Sequence, residues 1–448
     1  MARTCAISRE RRSPRHTAHI IVRSFVGAGL VVAGTLGCAD QPTAPSADAA
    51  IRAAAANATR PFASGLASVR WGAESRALVV QNRLSPTTAA RAYGLLAVAQ
   101  YGAALATGEH TVDGAAASNG FGEGGRSRYE LQRGAVAAAS ARILAYLFPS
   151  SATALWQRVD DEGEIGPGGV HPQFTRGRGI GLGIGERMVA WANADGFSTP
   201  WTGTIPTGPG KWTGSPPVAG AQHALMRPYA LSSPSQFRSP PPPAFASAEF
   251  LAALQEVRTI SDTRTAEQLR IAQERNLSTG SITGLGFFNE LAEAYIVEHG
   301  LDELAATHIL AVMNAAGSDA VIGCWDAKLH YFYIRPSQAD PAITLPIGLP
   351  NHPSYPSGHS CLSGAAAEVL THFFPDRAAE LQTHMIENGL SRIYAGIHYR
   401  FDVTAGQVLG RSVGGATLLF DQVNGLMSAI PSRTPNRWSV ARGYERAA

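Results

Sequence analysis

Residues 351–360, NHPSYPSGHS, stand immediately before an apolar stretch. Their two internal prolines prevent this run from forming a regular helix or a central strand, and Ser357-Gly358 is a typical helix start. The residues that follow, SCLSGAAAEVLTHFF from Ser360, predict a buried helix. His352 and His359 lie seven residues apart on either side of the Pro-Ser-Gly turn. We therefore expect a turn that brings two histidines to the N-terminus of a buried helix.

Two basic segments accompany this turn in the last third of the chain. The first, KLHYFYIRP, places Lys328 and Arg335 seven residues apart, which on a helix returns them to nearly the same face. The second, SRIYAGIHYRFD, contains Arg392, His398 and Asp402. Taken singly, each segment has an ordinary explanation: a solvated pair of charges, a helix start or a surface histidine. Their order and spacing together indicate a single site.

Three cations that converge on one site require an anion. Arginine presents planar forks that suit tetrahedral oxyanions, and lysine adds a point charge. The Ser357 hydroxyl and the Gly358 backbone N–H lie at a predicted helix N-terminus, where free donors and the helix dipole favour an anion. Two histidines complete such a site when one bonds the central atom and the other moves a proton. The residues thus predict an oxyanion site with acid–base chemistry.

Together the three segments resemble, in order and in every fixed spacing, the signature of the superfamily that joins vanadium-dependent haloperoxidases to type 2 phosphatidic acid phosphatases and bacterial acid phosphatases. The resemblance extends over Cys324–Asp402. Trp325 and the long chain with its Pro-rich middle section are more similar to bacterial, bromoperoxidase-like haloperoxidases than to the short, multi-span lipid phosphatases. The motifs do not separate peroxidase from phosphatase, because vanadate and phosphate share shape and charge.

The resemblance implies a role for each matching residue. Vanadate, containing vanadium(V), would be bound through His398, whose other ring nitrogen Asp402 would orient. His359 would act as the acid–base group, and in a phosphatase His398 would instead form a phosphohistidine. The residues that would hold the vanadate oxygens are Lys328, Arg335, Ser357, Gly358 and Arg392. Trp325 is expected in the pocket wall, and neither haem nor flavin is expected.

The favoured function is a vanadate-dependent haloperoxidase that uses hydrogen peroxide to oxidise halide to a hypohalous acid equivalent, with an organic acceptor that the sequence does not identify. A histidine stands at the place of His352 in algal bromoperoxidases, whereas fungal chloroperoxidases and known iodoperoxidases carry phenylalanine. We therefore expect bromide or iodide to be preferred over chloride, unless His352 only hydrogen-bonds within the turn. The alternatives are an exported acid phosphatase and a non-catalytic oxyanion-binding protein, although binding alone requires no proton shuttle.

Composition bounds the remaining classes of fold and function. The chain has 448 residues, of which 45% are hydrophobic and 16% charged, so a large core is available. A net charge of +3, without a basic cluster beyond the first 25 residues, argues against nucleic acid as a partner. Alanine, leucine and glycine dominate, which favours helices. Together with the resemblance above, we expect an all-α fold of two packed helical bundles around one oxyanion site. The oligomeric state stays open, a homo-oligomer included.

Residues 1–38 are predicted to be an export signal. A basic leader precedes the apolar run Phe25–Gly37, which is too short for a permanent membrane span. The run ends in Thr-Leu-Gly-Cys, which resembles a bacterial lipobox with Cys38 as the lipidated residue. We expect a periplasmic or cell-surface lipoprotein that meets the membrane only through its lipid, with plain secretion as the alternative.

Three further parts follow the signal. Residues 39–60 predict a flexible tether of Ala, Pro, Ser and Asp. Residues 61–245 predict an N-terminal helical part, which includes a Pro/Gly-rich irregular segment at 197–243. Irregular segments of this length often cover a site. Residues 246–448 predict the C-terminal helical bundle that carries the oxyanion site.

Some local features allow more than one interpretation. Residues 177–185, GRGIGLGIG, lack the Lys-Ser/Thr of a phosphate loop and predict a turn that leads into close helix packing. The helix that starts near Asp302 is expected to break at Gly317. Cys324 and Cys361 both lie in the motif region, either as two buried free thiols or as a disulfide that joins two segments of the site.

Overall fold

The computed structural model describes residues 65–108, 123–164 and 169–430. The export signal at 1–38, including Cys38, and the tether at 39–60 lie outside these ranges and stay predictions. Within them every regular element is a helix, apart from one isolated bridge between Lys211 and Tyr333. The predicted all-α fold is confirmed.

The described ranges contain thirteen α-helices, which we number in chain order. They are α1 (Ala67–Gln81), α2 (Pro86–Gly108), α3 (Glu123–Leu147), α4 (Ala152–Gly163), α5 (Pro172–Asn193), α6 (Ala248–Thr263), α7 (Ala266–Glu274), α8 (Thr283–Glu298), α9 (Glu303–Tyr331), α10 (Pro336–Ala339), α11 (Gly358–Phe373), α12 (Ala378–Tyr394) and α13 (Arg400–Asn424).

Helix α9 is the central element of the fold. It starts where the Asp302 side chain accepts a hydrogen bond from Ala305 N, which is a typical N-cap. By length and composition it could cross a membrane, but 89% of its most apolar window is buried inside the protein, where α2, α11 and α13 pack against it. The predicted break at Gly317 is wrong. Glycine is needed there for packing, since a Cβ would lie 2.7 Å from Leu285 Cδ1 of α8.

Residues 177–185 lie inside α5, so the predicted turn is also wrong. The expected close packing of helices is present, because the glycines let the backbones of α5 and α3 touch. A Cβ at Gly177 would lie 2.1 Å from Leu131 O, and one at Gly181 would lie 2.0 Å from Ala135 O. In a single sequence, glycines at this spacing are interpreted as residues that interrupt a helix. Here they are the points at which two helices touch.

One hydrophobic core joins the helices on both sides of the predicted boundary near residue 245. It includes Trp71 of α1, Leu96 of α2, Leu310 of α9 and Leu370 of α11. The boundary between an N-terminal and a C-terminal helical part stays a prediction.

The Pro/Gly-rich segment 197–243 runs across the end of α9 and the loop that follows it. Three tyrosine hydroxyls donate to its carbonyl oxygens: Tyr331 to Ser239 O (2.7 Å), Tyr333 to Pro243 O (2.6 Å) and Tyr355 to Pro240 O (2.7 Å). The buried Asp319 carboxylate of α9 fixes a second point by accepting from the backbone N–H groups of Tyr229, Ala230 and Leu231. The irregular segment is therefore attached to the helix that carries Lys328.

Candidate active site

Four helix ends meet where the sequence predicted the site. Lys328 lies in the last turn of α9, and Gly358 is the first residue of α11. Arg392 lies in the last turn of α12. His398 stands just before α13, and Asp402 lies in the first turn of that helix. The fold thus brings all three motif segments together.

Three cations are buried in this cluster. Lys328, Arg335 and Arg392 are each at most 1% exposed. Burial lowers the pKa of Lys328 to about 8, of Arg335 to about 10 and of Arg392 to about 9. Asp402 is the one described carboxylate whose charge opposes this effect at both Lys328 and Arg335. The site therefore has an excess of positive charge, which an anion would stabilise.

Lys328 holds the loop that precedes α11 in place through hydrogen bonds. Its Nζ donates to three backbone oxygens, those of Pro353 (2.9 Å), Ser354 (2.8 Å) and Pro356 (2.5 Å). An ammonium group has three N–H donors, so these acceptors account for all of them. Lys328 contributes its charge to the site, while its hydrogen bonds shape the loop. The predicted contact to an oxyanion oxygen stays a prediction.

Arg335 links two histidines. Its Nη1 donates to His398 Nε2 (3.0 Å) and to Ile397 O (2.7 Å). Its Nη2 donates to His352 Nδ1 (3.0 Å), and both Nη2 and Nε donate to His352 O. A guanidinium only donates, so His398 Nε2 is an acceptor. His352 Nδ1 lies between the Arg335 donor and Pro353 O, which is 3.2 Å away.

His398 is held in a defined tautomer. Its Nδ1 lies 2.8 Å from Asp402 Oδ2, and its Nε2 accepts from Arg335. Burial raises the pKa of Asp402 to about 6, so this carboxyl is mostly ionised at neutral pH and accepts the Nδ1 proton. Burial first, then Arg335, lowers the pKa of His398 well below its ordinary value. The ring is neutral, and its Nε2 lone pair points at the cations.

Ser354 supports this histidine–carboxylate pair. Its hydroxyl donates to Asp402 Oδ2 at 2.5 Å, and the backbone N–H of Tyr399 donates to the same oxygen at 3.1 Å. Ser354 lies within the stretch that opened the sequence analysis, yet nothing in the spacing gave it a role. Its proximity to Asp402 depends on the fold of the loop.

Asn276 is a second residue that sequence reasoning missed. Its backbone oxygen lies 3.0 Å from His359 Nε2, and its Oδ1 accepts from Arg392 Nη1 at 3.5 Å. It follows α7 in the chain, 83 residues before His359, so tertiary packing alone brings it to the site. Arg392 also donates to the backbone oxygens of Arg275 (2.8 Å) and Ala272 (3.3 Å).

His359 has the opposite tautomer to His398. The Asn276 oxygen can only accept, so His359 carries its proton on Nε2 and leaves Nδ1 as the basic nitrogen. The ring is half-buried. Burial first, then the charge of Arg392, lowers the pKa of His359 to about 3. His359 is therefore a neutral imidazole at physiological pH and is able to accept a proton.

The N-terminus of α11 supplies donors that the protein itself leaves free. Ser357 is the N-cap residue, but its hydroxyl makes no capping bond. Among the described residues, Ser357 Oγ is one of the buried polar atoms without a hydrogen-bond partner. The backbone N–H groups of the first turn, starting at Gly358, have no partner within the helix. This arrangement suits an oxyanion held at the positive end of the helix dipole.

His352 and Trp325 form one wall. Their ring centroids are 5.1 Å apart, and His352 also contacts Arg335 as described above. The Trp325 indole donates to Ala219 O at 2.9 Å, which ties the irregular segment to the site. A Cβ at Gly358 would lie 3.4 Å from the Trp325 ring, so the indole packs over the start of α11.

Cys324 and Cys361 are free, buried thiols. Of the two interpretations of the sequence, the structure contains the pair of thiols and not the disulfide.

Comparison with known proteins adds to this geometry. The chain matches the PAP2 superfamily over residues 305–425. It is 29% identical over 178 residues to a non-specific acid phosphatase of Providencia stuartii, covering 38% of this chain and 68% of that protein. It is 30% identical over 146 residues to a decaprenylphosphoryl-5-phosphoribose phosphatase of Mycobacterium tuberculosis, covering 32% of this chain and 78% of that protein.

The fold as a whole is similar to a solved bacterial vanadium-dependent iodoperoxidase. The TM-score is 0.65 with 23% sequence identity, over 79% of this chain and 95% of that one. This likeness shows a shared fold. Since the sequence match extends over most of a curated relative and the superfamily match spans α9 to α13, the chain is a member of the PAP2 superfamily.

Proposed function

We propose that this protein is a vanadate-dependent haloperoxidase that uses hydrogen peroxide to oxidise halide to a hypohalous acid equivalent. One observation carries the proposal: the neutral Nε2 of His398 points into a cluster of three buried cations, with a single carboxylate behind it. The unpartnered Ser357 hydroxyl at the N-terminus of α11 adds a donor at the same place. This set suits an oxyanion whose central atom is bonded by a histidine nitrogen.

The residues present fit vanadate. His398 Nε2 would bind the metal, and the oxygens would be held by Arg335, Arg392, Ser357 Oγ and the Gly358 N–H. Lys328, whose three N–H groups are bonded to the loop, would contribute its charge. Bound vanadate would supply a Lewis-acid centre that polarises peroxide for attack by halide. Asp402 keeps the His398 ring in its tautomer, as carboxylates do for metal-bound histidines.

His359 is suited to the proton transfer that peroxide activation requires. The Asn276 carbonyl holds its Nε2–H, which fixes Nδ1 as the nitrogen that accepts a proton. Its low pKa keeps this nitrogen unprotonated at neutral pH. Arg392 lies close enough to lower that pKa, and an anion near Arg392 would raise it again.

The architecture outside the superfamily match supports a peroxidase over a phosphatase. The sequence alignments with the two phosphatase relatives cover 38% and 32% of this chain. The structural likeness to the iodoperoxidase extends over 79% of it. The additional part includes the irregular segment, whose Ala219 O accepts a hydrogen bond from the Trp325 indole beside the site.

An acid phosphatase is the second candidate. It is favoured by the names of the sequence relatives and by the His398 tautomer, because an Nε2 lone pair can also attack phosphorus to form a phosphohistidine. A non-catalytic oxyanion-binding protein is disfavoured, since it requires neither the oriented His398 nor the basic Nδ1 of His359.

The two enzymes are separated by a paired assay. Bromide oxidation by hydrogen peroxide is measured before and after addition of vanadate, and phosphomonoester hydrolysis is measured on the vanadate-free protein. We expect vanadate to raise bromide oxidation at least about a hundredfold, with His398→Ala inactive in both assays. Rapid ester hydrolysis without vanadate-dependent bromide oxidation would establish the phosphatase instead.

Halide, acceptor and location belong to the same proposal. His352 beside Arg335 supports bromide or iodide over chloride, with an organic acceptor still to be identified.

Export as a lipoprotein rests on the sequence of residues 1–38. Membrane fractionation tests it: Cys38→Ser should release the protein from membranes or block its processing, and soluble export of the unaltered protein would leave plain secretion.

A further inference from the structure

The two buried thiols lie side by side at the base of the oxyanion site. Cys324 on α9 and Cys361 on α11 are both fully buried, and their side chains are in hydrogen-bonding contact. Cys324 Sγ also donates to Pro356 O at 3.8 Å. The same oxygen accepts from Lys328. The thiols are thus part of the contact between the helices that carry the site.

Each thiol is one helical turn from a residue of the site. Cys324 precedes Lys328 by four residues on α9. The Cys361 N–H donates to Ser357 O at 3.0 Å in the first turn of α11. A movement of either sulfur that carries its backbone therefore shifts the cation on α9 relative to the donors at the start of α11.

We propose that Cys324 and Cys361 form a reversible disulfide when the protein meets peroxide, and that this disulfide weakens oxyanion binding. The proposal rests on the proposed function in one respect, which is that hydrogen peroxide is present as a substrate. The chemistry itself requires only peroxide and the two thiols.

The reaction balances without a further reagent. The Cys324 thiolate sulfur attacks one peroxide oxygen, the O–O bond breaks, and the departing hydroxide takes up a proton to become water. The Cys361 sulfur then attacks the resulting sulfenic sulfur and displaces its oxygen as a second water. The sulfurs lose two electrons in total, and the peroxide oxygens gain them.

Cys324 is the better first nucleophile of the pair. Burial raises the pKa of its thiol, but the Cys361 S–H and the charges of Lys328 and Arg335 outweigh this and lower it overall. Burial and the neighbouring Cys324 raise the pKa of Cys361. The thiolate, which reacts with peroxide, therefore forms at Cys324.

A disulfide would distort the site because its sulfurs must approach to about 2.05 Å. Two thiols in hydrogen-bonding contact are farther apart than that, and both lie in a close-packed contact between helices. We expect closure of the bond to draw α9 and the first turn of α11 together by an amount on the order of 1 Å. Displacements of that size can change rates about a hundredfold in a site that depends on exact placement. Phosphate affinity is expected to fall at least about tenfold and to recover on reduction.

The test uses the full-length, vanadate-free protein without halide. The reduced protein is treated with hydrogen peroxide, unfolded in an alkylating agent and digested, and its phosphate affinity is measured by calorimetry before treatment, after it and after dithiothreitol. We expect a Cys324–Cys361 cross-linked peptide and a loss of phosphate affinity after peroxide. Reduction should restore the two free thiols and the phosphate affinity. Cys361→Ser and Cys324→Ser, checked for unaltered melting temperature, should keep their phosphate affinity after peroxide.

Three results would overturn the proposal. Both thiols could remain alkylatable after peroxide treatment. The cross-link could form without a change in phosphate affinity. Peroxide could also reduce the affinity equally in a Cys324→Ser/Cys361→Ser double variant, which would place the damage elsewhere. Because none of these measurements depends on halide oxidation, failure of the proposed function and failure of the thiol switch are distinguished.

Discussion

His398 Nδ1 lies 2.8 Å from Asp402 Oδ2, one helical turn further along the chain at the start of α13. The carboxylate holds the ring so that its Nε2 lone pair faces Arg335. This is the tautomer required whether the nitrogen binds a metal or attacks phosphorus. The pair is therefore expected to orient the ring nitrogen on which the proposed oxyanion chemistry depends.

Alanine substitutions of His398 and His359 should have different effects on vanadate binding and on turnover. His398→Ala should abolish vanadate binding and bromide oxidation together, because it removes the ring nitrogen proposed to bond the central atom. His359→Ala should keep vanadate affinity within about tenfold while bromide turnover falls about a hundredfold or more, as expected for the loss of a proton-transfer group. Vanadate affinity by calorimetry and turnover by bromide oxidation separate the two effects.

His372→Ala is the matched control for both variants, since His372 is an exposed histidine in the last turn of α11. This substitution should change neither the vanadate affinity nor the turnover of bromide. Full halide oxidation by His398→Ala would show that the roles are assigned incorrectly.

Asp402→Asn should lower activity about 10- to 100-fold by freeing the His398 ring. It should also destabilise the protein, because the Ser354 hydroxyl and the Tyr399 N–H lose a charged acceptor. Asp421→Asn is the control, since Asp421 forms a pair of similar length, 2.7 Å, with His308 away from the site. Thermal melts and kcat are measured for both. Equal effects of the two substitutions on kcat would argue against an orienting role for Asp402.

His352→Phe should alter the halide preference and the pH profile of turnover. The substitution removes the Nδ1 that lies 3.0 Å from Arg335 Nη2 but keeps the backbone oxygen to which Nη2 also donates. It replaces a titratable ring against Trp325 with an apolar one. We expect the ratio of bromide to chloride activity to change at least about threefold. Protonation of the His352 imidazole should lower turnover at acid pH, and this loss should diminish in the variant. His330→Phe, at an exposed position on α9, is the control. An unchanged ratio and profile would make His352 structural and remove the basis for the halide preference.

Oxyanion affinity should fall as the pH rises above 8. In the anion-free protein the pKa of Lys328 is lowered from 10.5 to about 8, so this group is charged below pH 8 and progressively neutral above it. A bound anion favours the charged form, and affinity should therefore be level below pH 8 and fall about tenfold per pH unit above it. Sulfate is the suitable probe, because its own charge is constant over this range. A sulfate affinity that does not change between pH 7 and 10 would contradict the assigned pKa.

The sequence predicts the site better than it predicts the helices around it. Lys328, Arg335, Arg392, His398 and Asp402 were found because the motif spacing is fixed along the chain. The glycines at 177–185 and at Gly317 were misassigned, because their partners, such as Leu131 and Leu285, are distant in sequence. A glycine that breaks a helix and a glycine that admits a neighbouring helix have the same local signal.

Asn276 illustrates the same limit within the site. Its contact with His359 uses a backbone oxygen, which any residue type supplies, so side-chain chemistry left no signal. The three bonds of Lys328 to loop carbonyls were equally hidden, because they depend on how the loop before α11 folds. Motif spacing identifies which side chains meet, whereas the fold decides which of their donors remain free.

Titration of peroxide-dependent bromide oxidation with vanadate tests the central claim most directly. The protein is prepared without vanadate in phosphate-free buffer, and activity is followed as vanadate is added. We expect no activity at the start, saturation at one vanadate per chain, and a half-saturation point that phosphate shifts upward by competition. Activity that is independent of vanadate, or that phosphate does not affect, would contradict an oxyanion cofactor held by His398 and the three buried cations.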